Sequence, residues 1–216
     1  KQVKRLTYHS METAMTTRPD ARTAIVTAAR ELFALHGYDG ASVRAITGQA
    51  GVNLGGVAYH FGSKQALFDA VTGAAASGAR EKVLEAAGGS GPPLERIEAV
   101  VRAFFTYLYE NPDVPRLVIH TLVSRDTIPE AGRGVMGANL RTLAELINEG
   151  QAVGSIRPGD PELMALSVAS QPLWMVLARR PLREGVSLDQ DDPSVRERLM
   201  ESVVDFVKAG LASDRE

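Results

Sequence analysis

Residues 42–60 read SVRAITGQAGVNLGGVAYH, and the fold turns on the glycine near their centre. Before Gly51, residues 42–50 are long enough for two helical turns, and Ser42 is a residue type that caps a helix start. After Gly51-Val52, Asn53 stands as the cap of another short helix running through His60. Glycine accepts the left-handed backbone that ends one helix and turns the chain into the next. Ile46, Ala50, Val52 and Val57 fall at spacings that fill a small shared core. Two short helices about a tight turn have the dimensions of a helix-turn-helix. Its second helix fits the major groove of DNA and presents its amino-terminal side chains to base edges.

The flanking sequence is helical on both sides. Upstream, Ile25, Ala29, Leu32 and Phe33 form an apolar stripe that stops at His36-Gly37. Downstream, Ser63 is placed to cap a helix with Leu67, Phe68 and Val71 facing inward, and AAGGSGPP over 86–93 breaks it. Leu94, Ile97, Val101, Phe104, Phe105 and Leu108 then recur at three and four, an amphipathic helix ended by Asn111-Pro112. Further helices are expected over 115–124, 134–151, 161–180 and 193–211, several opening on a proline. The acidic stretch GVSLDQDD separates the last two. Period-2 alternation is scarce and no repeat is evident, so the expected fold class is all-α. The expected layout is a flexible tail over 1–18, a helix-turn-helix domain over 19–65 and a helical body over 66–213.

Composition narrows the function classes. A chain of 216 residues, 44% hydrophobic and 23% charged, buries a core without staples. It has no cysteine, which removes disulfides, thiolate zinc sites, iron–sulfur ligation and cysteine nucleophiles. His9, His36, His60 and His120 are too scattered to form a local ligand pair, so neither metal nor cofactor is expected. The net charge of −2 hides an asymmetry. Residues 1–70 hold eight Lys/Arg against five Asp/Glu, while 71–216 hold sixteen against twenty-one. A basic amino-terminal third on an acidic body points to a polyanion partner at one end, although an uneven solvated surface has the same look. The opening KQVKRLTYHSMETAMTTR lacks the apolar run of a secretory signal and reads as a tail, with the start at Met11 or Met15 and a cytoplasmic location expected. Residues 163–178 carry no formal charge but fall short of the roughly 20 apolar residues of a span, so a buried helix and no membrane are expected.

The groove-facing positions of the helix-turn-helix are Asn53, Leu54, Gly55 and Gly56, followed by Ala58. Consecutive glycines cost a helix roughly 1 kcal/mol each relative to alanine, and here they let the backbone approach DNA closely. Tyr59, His60, Lys64 and Ser42 are placed for phosphate hydrogen bonds, and Arg44 for a guanine edge or a phosphate. The alternative is that all of these are ordinary helix and cap residues of a bundle.

Residues 22–68, with a helix ending in LFALHGYDGASVRAITGQAGVNLGGVAYHFGSKQALF, resemble the DNA-binding domain of the TetR/AcrR family of bacterial transcriptional regulators. The likeness rests on Tyr38 after the Gly37 turn, Ser42 in the usual threonine position, Ala50-Gly51-Val52, Gly55, Tyr59-His60-Phe61, Ser63-Lys64 and Leu67-Phe68. It implies a homodimer of all-helical subunits. The first three helices would bind a palindromic double-stranded DNA operator, and the remainder would dimerise and receive a small-molecule effector that spreads the two heads and relieves repression. By position, the resemblance makes Ser42, Tyr59, His60 and Lys64 phosphate contacts and puts Arg44, Leu54, Gly55 and Gly56 near bases. The chain departs from the family at Thr47, where a small alanine is customary, and at Ala58, where a first tyrosine is common. Asn53 with Ala58 and HFGSK is similar to a CecR-like subgroup. With few polar side chains in the groove, specificity rests partly on DNA shape.

In the body, the helix from Pro161 is apolar on nearly every side, through Leu163, Met164, Leu166, Val168, Leu173, Trp174, Val176 and Leu177. A helix apolar all round is buried all round. One face is expected on its own bundle and another, Leu166, Leu173 and Leu177 with Leu199, Val203, Phe206 and Val207, in an isologous four-helix interface. A fully interior helix in a monomer is the alternative. Phe104, Tyr107, Leu108, His120, Met136, Leu140, Gln171 and Trp174 are the candidate lining of an apolar effector site, against the plainer reading of each as core. Gly132, Gly134 and Gly137 spell GxGxxG, and LVIHTLV upstream can be drawn as a strand, which leaves a nucleotide-dependent enzyme as a remote alternative. SRDTIPEA intervenes, however, and hydrolase signatures are missing. The expected function is a homodimeric repressor released by a small, largely apolar ligand. A DNA-binding regulator without a small-molecule effector is the alternative.

Overall fold

Asp20 opens the first helix, its Oδ1 accepting the Thr23 N–H at 2.8 Å. The computed structural model describes residues 20–123 and 130–213, so the expected tail over 1–18 lies outside the described residues. Helix α1 (Ala21–Gly40) is interrupted where the sequence expected it to stop, at Gly37 with φ 70° and ψ −178°. Helix α2 (Val43–Ala50) is capped by Ser42, whose Oγ accepts the Ala45 N–H at 3.1 Å. Gly51 follows in the left-handed region, its N–H on the Gly48 carbonyl and the Val52 N–H on that of Thr47. Helix α3 (Gly56–Phe61) starts later than expected. Asn53 is not its side-chain cap. Its carbonyl instead accepts the Gly56 N–H at 3.0 Å and closes a turn, and Gly55 takes the cap position with no side-chain bond. Helix α4 (Lys64–Ala87) is capped by Ser63 and runs unbroken from the amino-terminal head into the body.

The body comprises α5 (Pro93–Glu110), α6 (Val114–Val123), α7 (Glu130–Ala152), α8 (Pro161–Leu177), α9 (Arg179–Val186) and α10 (Pro193–Leu211). The expected helix over 161–180 is two helices, because Pro181 lacks the N–H that would reach back to Leu177. Among the described residues there is no strand beyond an isolated bridge between Ile156 and Ala212. That removes the dinucleotide reading. LVIHTLV lies in α6, and Gly132, Gly134 and Gly137 lie inside α7, so no strand-to-helix turn exists for the glycines to form. No helix of the described residues is long and apolar enough to cross a membrane.

The head core joins Ile25, Ala29 and Phe33 of α1 to Ile46, Val57, Leu67 and Phe68, all buried. Phe33 and Phe68 meet edge to face at 5.0 Å, and Tyr38 closes on Phe68 at 5.2 Å. In the body Ile97, Val101, Phe105 and Leu108 bury the inner face of α5. Its outer face is tied to α10 by Arg102–Glu201 and Glu98–Lys208 pairs at 2.5 and 2.8 Å. The hydrogen bond from Lys208 holds the Glu98 carboxyl below its ordinary range.

Gly150, in the last turn of α7, has no room for a side chain. An added Cβ would lie 2.4 Å from Ile156 Cδ1 and 2.5 Å from its Cγ1. Ile156 cannot retreat. It is buried, and both its N–H and that of Ser155 donate to the Gly150 carbonyl. Gly150→Ala is therefore expected to cost about 1–3 kcal/mol by overpacking. At this chain size calorimetry should read the loss as about 2–4 °C of Tm per kcal/mol. An unchanged Tm would show that the turn after α7 yields.

Candidate nucleic-acid interface

Helices α2, α3 and the first turn of α4 expose Ser42, Arg44, Asn53, Leu54, Gly55, Ala58 and Tyr59, with His60 and Lys64 half-buried beside them. Tyr59 is 85% exposed and Leu54 63%, large apolar surfaces that none of the described residues covers. The Tyr59 ring stands edge-on to His60 at 4.8 Å. Lys64 lays its ammonium 4.3 Å from the Tyr38 ring centroid, so the head's aromatic cluster holds the cation at the start of α4. The sequence reading missed Arg22. Its guanidinium sits 5.0 Å from the Phe61 ring, adding a cation where α1 begins beside the end of α3.

Gly56 departs from expectation. It is buried, and a Cβ there would lie 3.1 Å from Val52 Cγ2 and 3.3 Å from Ile25 Cδ1. The bare backbone at this position lets α3 close onto α1 rather than onto DNA, and only Gly55 of the pair faces outward. Thr47, in the place of the customary alanine, is buried, and its hydroxyl donates to the Val43 carbonyl at 3.0 Å, so the added polar atom is satisfied within α2.

The eight residues expected around an effector differ widely in burial. Leu108 is fully buried core. Tyr107 is committed to holding α5 against α4. Its hydroxyl donates to the Ala75 carbonyl at 2.7 Å, beside the space left by Gly78, and burial pushes its pKa up. His120 leaves the body's interior for the joint with the head, its Nδ1 3.0 Å from where a Cβ at Gly37 would lie. Met136 and Trp174 are exposed, while Phe104, Leu140 and Gln171 are half-buried. A cleft of about 510 Å³ opens between α7 and the start of α8, lined by Arg141, Glu145, Asn148, Asp160 and Glu162 among others. None of the eight lies in it, and its three carboxylates suit no apolar molecule.

The helix expected to be buried all round is buried on one face only. Met164, Ala165, Val168 and Val176 face the core, while Leu163, Leu166 and Trp174 are exposed, with Leu173 and Leu177 half-buried along the same stripe. On α10, Phe206 is exposed and Leu199 half-buried. Val203 and Val207, expected on the interface, are instead buried in the chain's own core, because they fall on the α10 face turned toward α5 and α8.

Residues 25–71 match the family described as bacterial regulatory proteins, tetR family, and residues 93–207 match the tetracyclin repressor-like C-terminal domain. The chain is 39% identical over 66 residues to the HTH-type transcriptional repressor AcnR of Corynebacterium efficiens, covering 31% of this chain and 35% of that protein. It is 43% identical over 49 residues to AcnR of Corynebacterium glutamicum, covering 23% of this chain and 26% of that one. These matches thus span about a third and a quarter of the relatives' lengths. A regulatory protein of the tetR family from Rhodococcus RHA1 superposes with a TM-score of 0.75 at 20% identity, covering 91% of this chain and 99% of that one. AibR in complex with isovaleryl coenzyme A and operator DNA superposes with a TM-score of 0.70 at 23% identity, covering 87% and 97%. The two family matches together take in both the helix-turn-helix head and most of the helical body, and on them the chain belongs to the TetR family of bacterial regulatory proteins, a regulator rather than an enzyme.

Proposed function

We propose that this chain is a cytoplasmic, homodimeric repressor that binds a palindromic operator and is released from it by a small, largely apolar ligand. The observation that carries the reading is the face formed by α2, α3 and the first turn of α4, which turns Arg44, Leu54, Gly55 and Tyr59 outward on a rigid aromatic base. On this reading Ser42, Tyr59, His60 and Lys64 touch phosphates, Arg44 and Asn53 reach base edges, and Leu54 meets a thymine methyl. The second copy docks through Leu163, Leu166 and Trp174 of α8 with Phe206 of α10. The AibR complex, which holds both an acyl-coenzyme A and operator DNA, supports the part of the reading in which a protein of this fold takes both DNA and a small molecule. A regulator without a small-molecule effector is the second reading, favoured by the commitment of Tyr107 and Leu108 to the core. A thermal-shift screen separates the two, since a ligand at 100 times its Kd adds about 2.7 kcal/mol to stability.

Lys64→Ala is expected to weaken binding to all DNA about equally and, with one lysine lost from each head of the dimer, to lower the slope of log affinity against log salt by roughly two. Arg44→Ala is expected to relax sequence preference at one position, costing about 1–3 kcal/mol there. Anisotropy titrations at several salt concentrations check both. An unchanged salt slope for Lys64→Ala removes the phosphate assignment.

A further inference from the structure

The head meets the body at more than the continuous α4. On α1, Arg30 directs Nε at Asp113 and donates from Nη2 to Asp113 Oδ1 and Asn111 Oδ1, each at 3.0 Å. Asp113 and Asn111 belong to the link between α5 and α6, and that link is stiff. The Asn111 side chain and backbone N–H groups both donate to the Tyr107 carbonyl at the end of α5, at 2.9 and 3.0 Å, and the Asn111 carbonyl accepts the Val114 N–H. About two turns further along α1, the imidazole of His120 lies against the bare backbone of Gly37. A head carried only by α4 is free to bend and twist about that helix. A forked guanidinium gripping a carboxylate and an amide on a stiff link fixes a second point with defined orientation.

We propose that Arg30, through Asp113 and Asn111, is the residue that sets the angle of the DNA-binding head on the body, and so the half-site spacing that the protein accepts. This rests on the reading of the chain as a dimer on a palindromic operator. A dimer measures spacing between half-sites only as sharply as each head is held on its body. Arg30 lies away from the exposed face of α2 and α3, so its loss leaves the contacts of a single head with DNA in place.

The test uses duplexes bearing two half-sites, obtained by selection from randomised DNA, with the spacer changed one base pair at a time, together with a duplex bearing one half-site. Wild type is expected to show one sharp spacing optimum. Arg30→Gln is expected to flatten that profile and lower affinity at the best spacing about tenfold, within the usual range of coupling between sites. Its affinity for the single half-site should stay within about twofold. Asp113→Asn approaches the same contact from the body and should flatten the profile too, and the exchanged pair Arg30→Asp with Asp113→Arg should sharpen it again. A spacing profile unchanged in both single variants, or a parallel fall in half-site and full-site affinity, overturns the proposal. Wild type that binds neither duplex overturns the operator reading itself, and the spacing role with it.

Discussion

On the proposed dimer, Trp174→Asp is expected to leave a folded monomer and to lower operator affinity by about two orders of magnitude or more. Trp174 is 66% exposed on α8 and Phe206 67% exposed on α10, and Leu163 and Leu166 continue the α8 stripe. On the proposed dimer, this apolar surface on a helix whose other face is core is where the second copy docks. Tryptophan at the centre of such a patch is the side chain whose loss costs most, about 2 kcal/mol or more, and a carboxylate there must also be desolvated if the dimer is to form. The DNA effect is larger than the dimer effect alone suggests. Two linked heads on two half-sites gain about 10²–10⁴ in affinity over one head. Because the side chain is exposed, the helical signal and the melting of the single subunit should change little. Sedimentation at micromolar protein, run beside an operator titration, checks both expectations. A Trp174→Asp protein that stays dimeric places the interface elsewhere.

The second large effect is on the head itself. Phe33→Ala removes a fully buried ring that stacks with Tyr38 at 6.2 Å and meets Phe68 edge-on at 5.0 Å. Truncating a buried phenylalanine costs about 3–5 kcal/mol, from lost burial and the cavity left behind. A head of roughly fifty residues has little stability of its own to offset that loss. Its helices should exchange amide hydrogens far faster than those of α5 and α7, and operator binding should disappear. The ion pairs between α5 and α10, which lie far from the cavity, should hold the body together. Hydrogen exchange resolved along the chain reads this directly. Equal protection in head and body, at wild-type levels, would mean that the aromatic cluster does not hold the head.

Much of the head was legible in the sequence because its signals are local. Ser42 and Ser63 cap the helices they were expected to cap, Gly51 adopts the left-handed turn, and Ile25, Ala29, Phe33, Leu67 and Phe68 are the core that their spacing implied. The departures from expectation came where a residue's partner lies outside its own helix. Gly56 looked like a gap left for DNA, but it is a gap left for Val52 and Ile25. Tyr107 and His120 have the chemistry of ligand contacts, yet one is held by the Ala75 carbonyl and the other sits under Gly37. The sequence puts Val203, Phe206 and Val207 on one helix without saying which of them face the chain's own core, so all three are expected on the interface while Val203 and Val207 are buried. The joint at Arg30 bridges 83 residues and leaves no sequence pattern.

The central claim is that the α2–α3 face recognises a specific DNA sequence. The most direct measurement is a fluorescence anisotropy titration of the purified protein against the DNA flanking its own gene, at two salt concentrations and with excess competitor DNA. Saturable binding that survives the competitor and weakens as salt rises is the expected result. Binding to no DNA even at low salt would contradict the account.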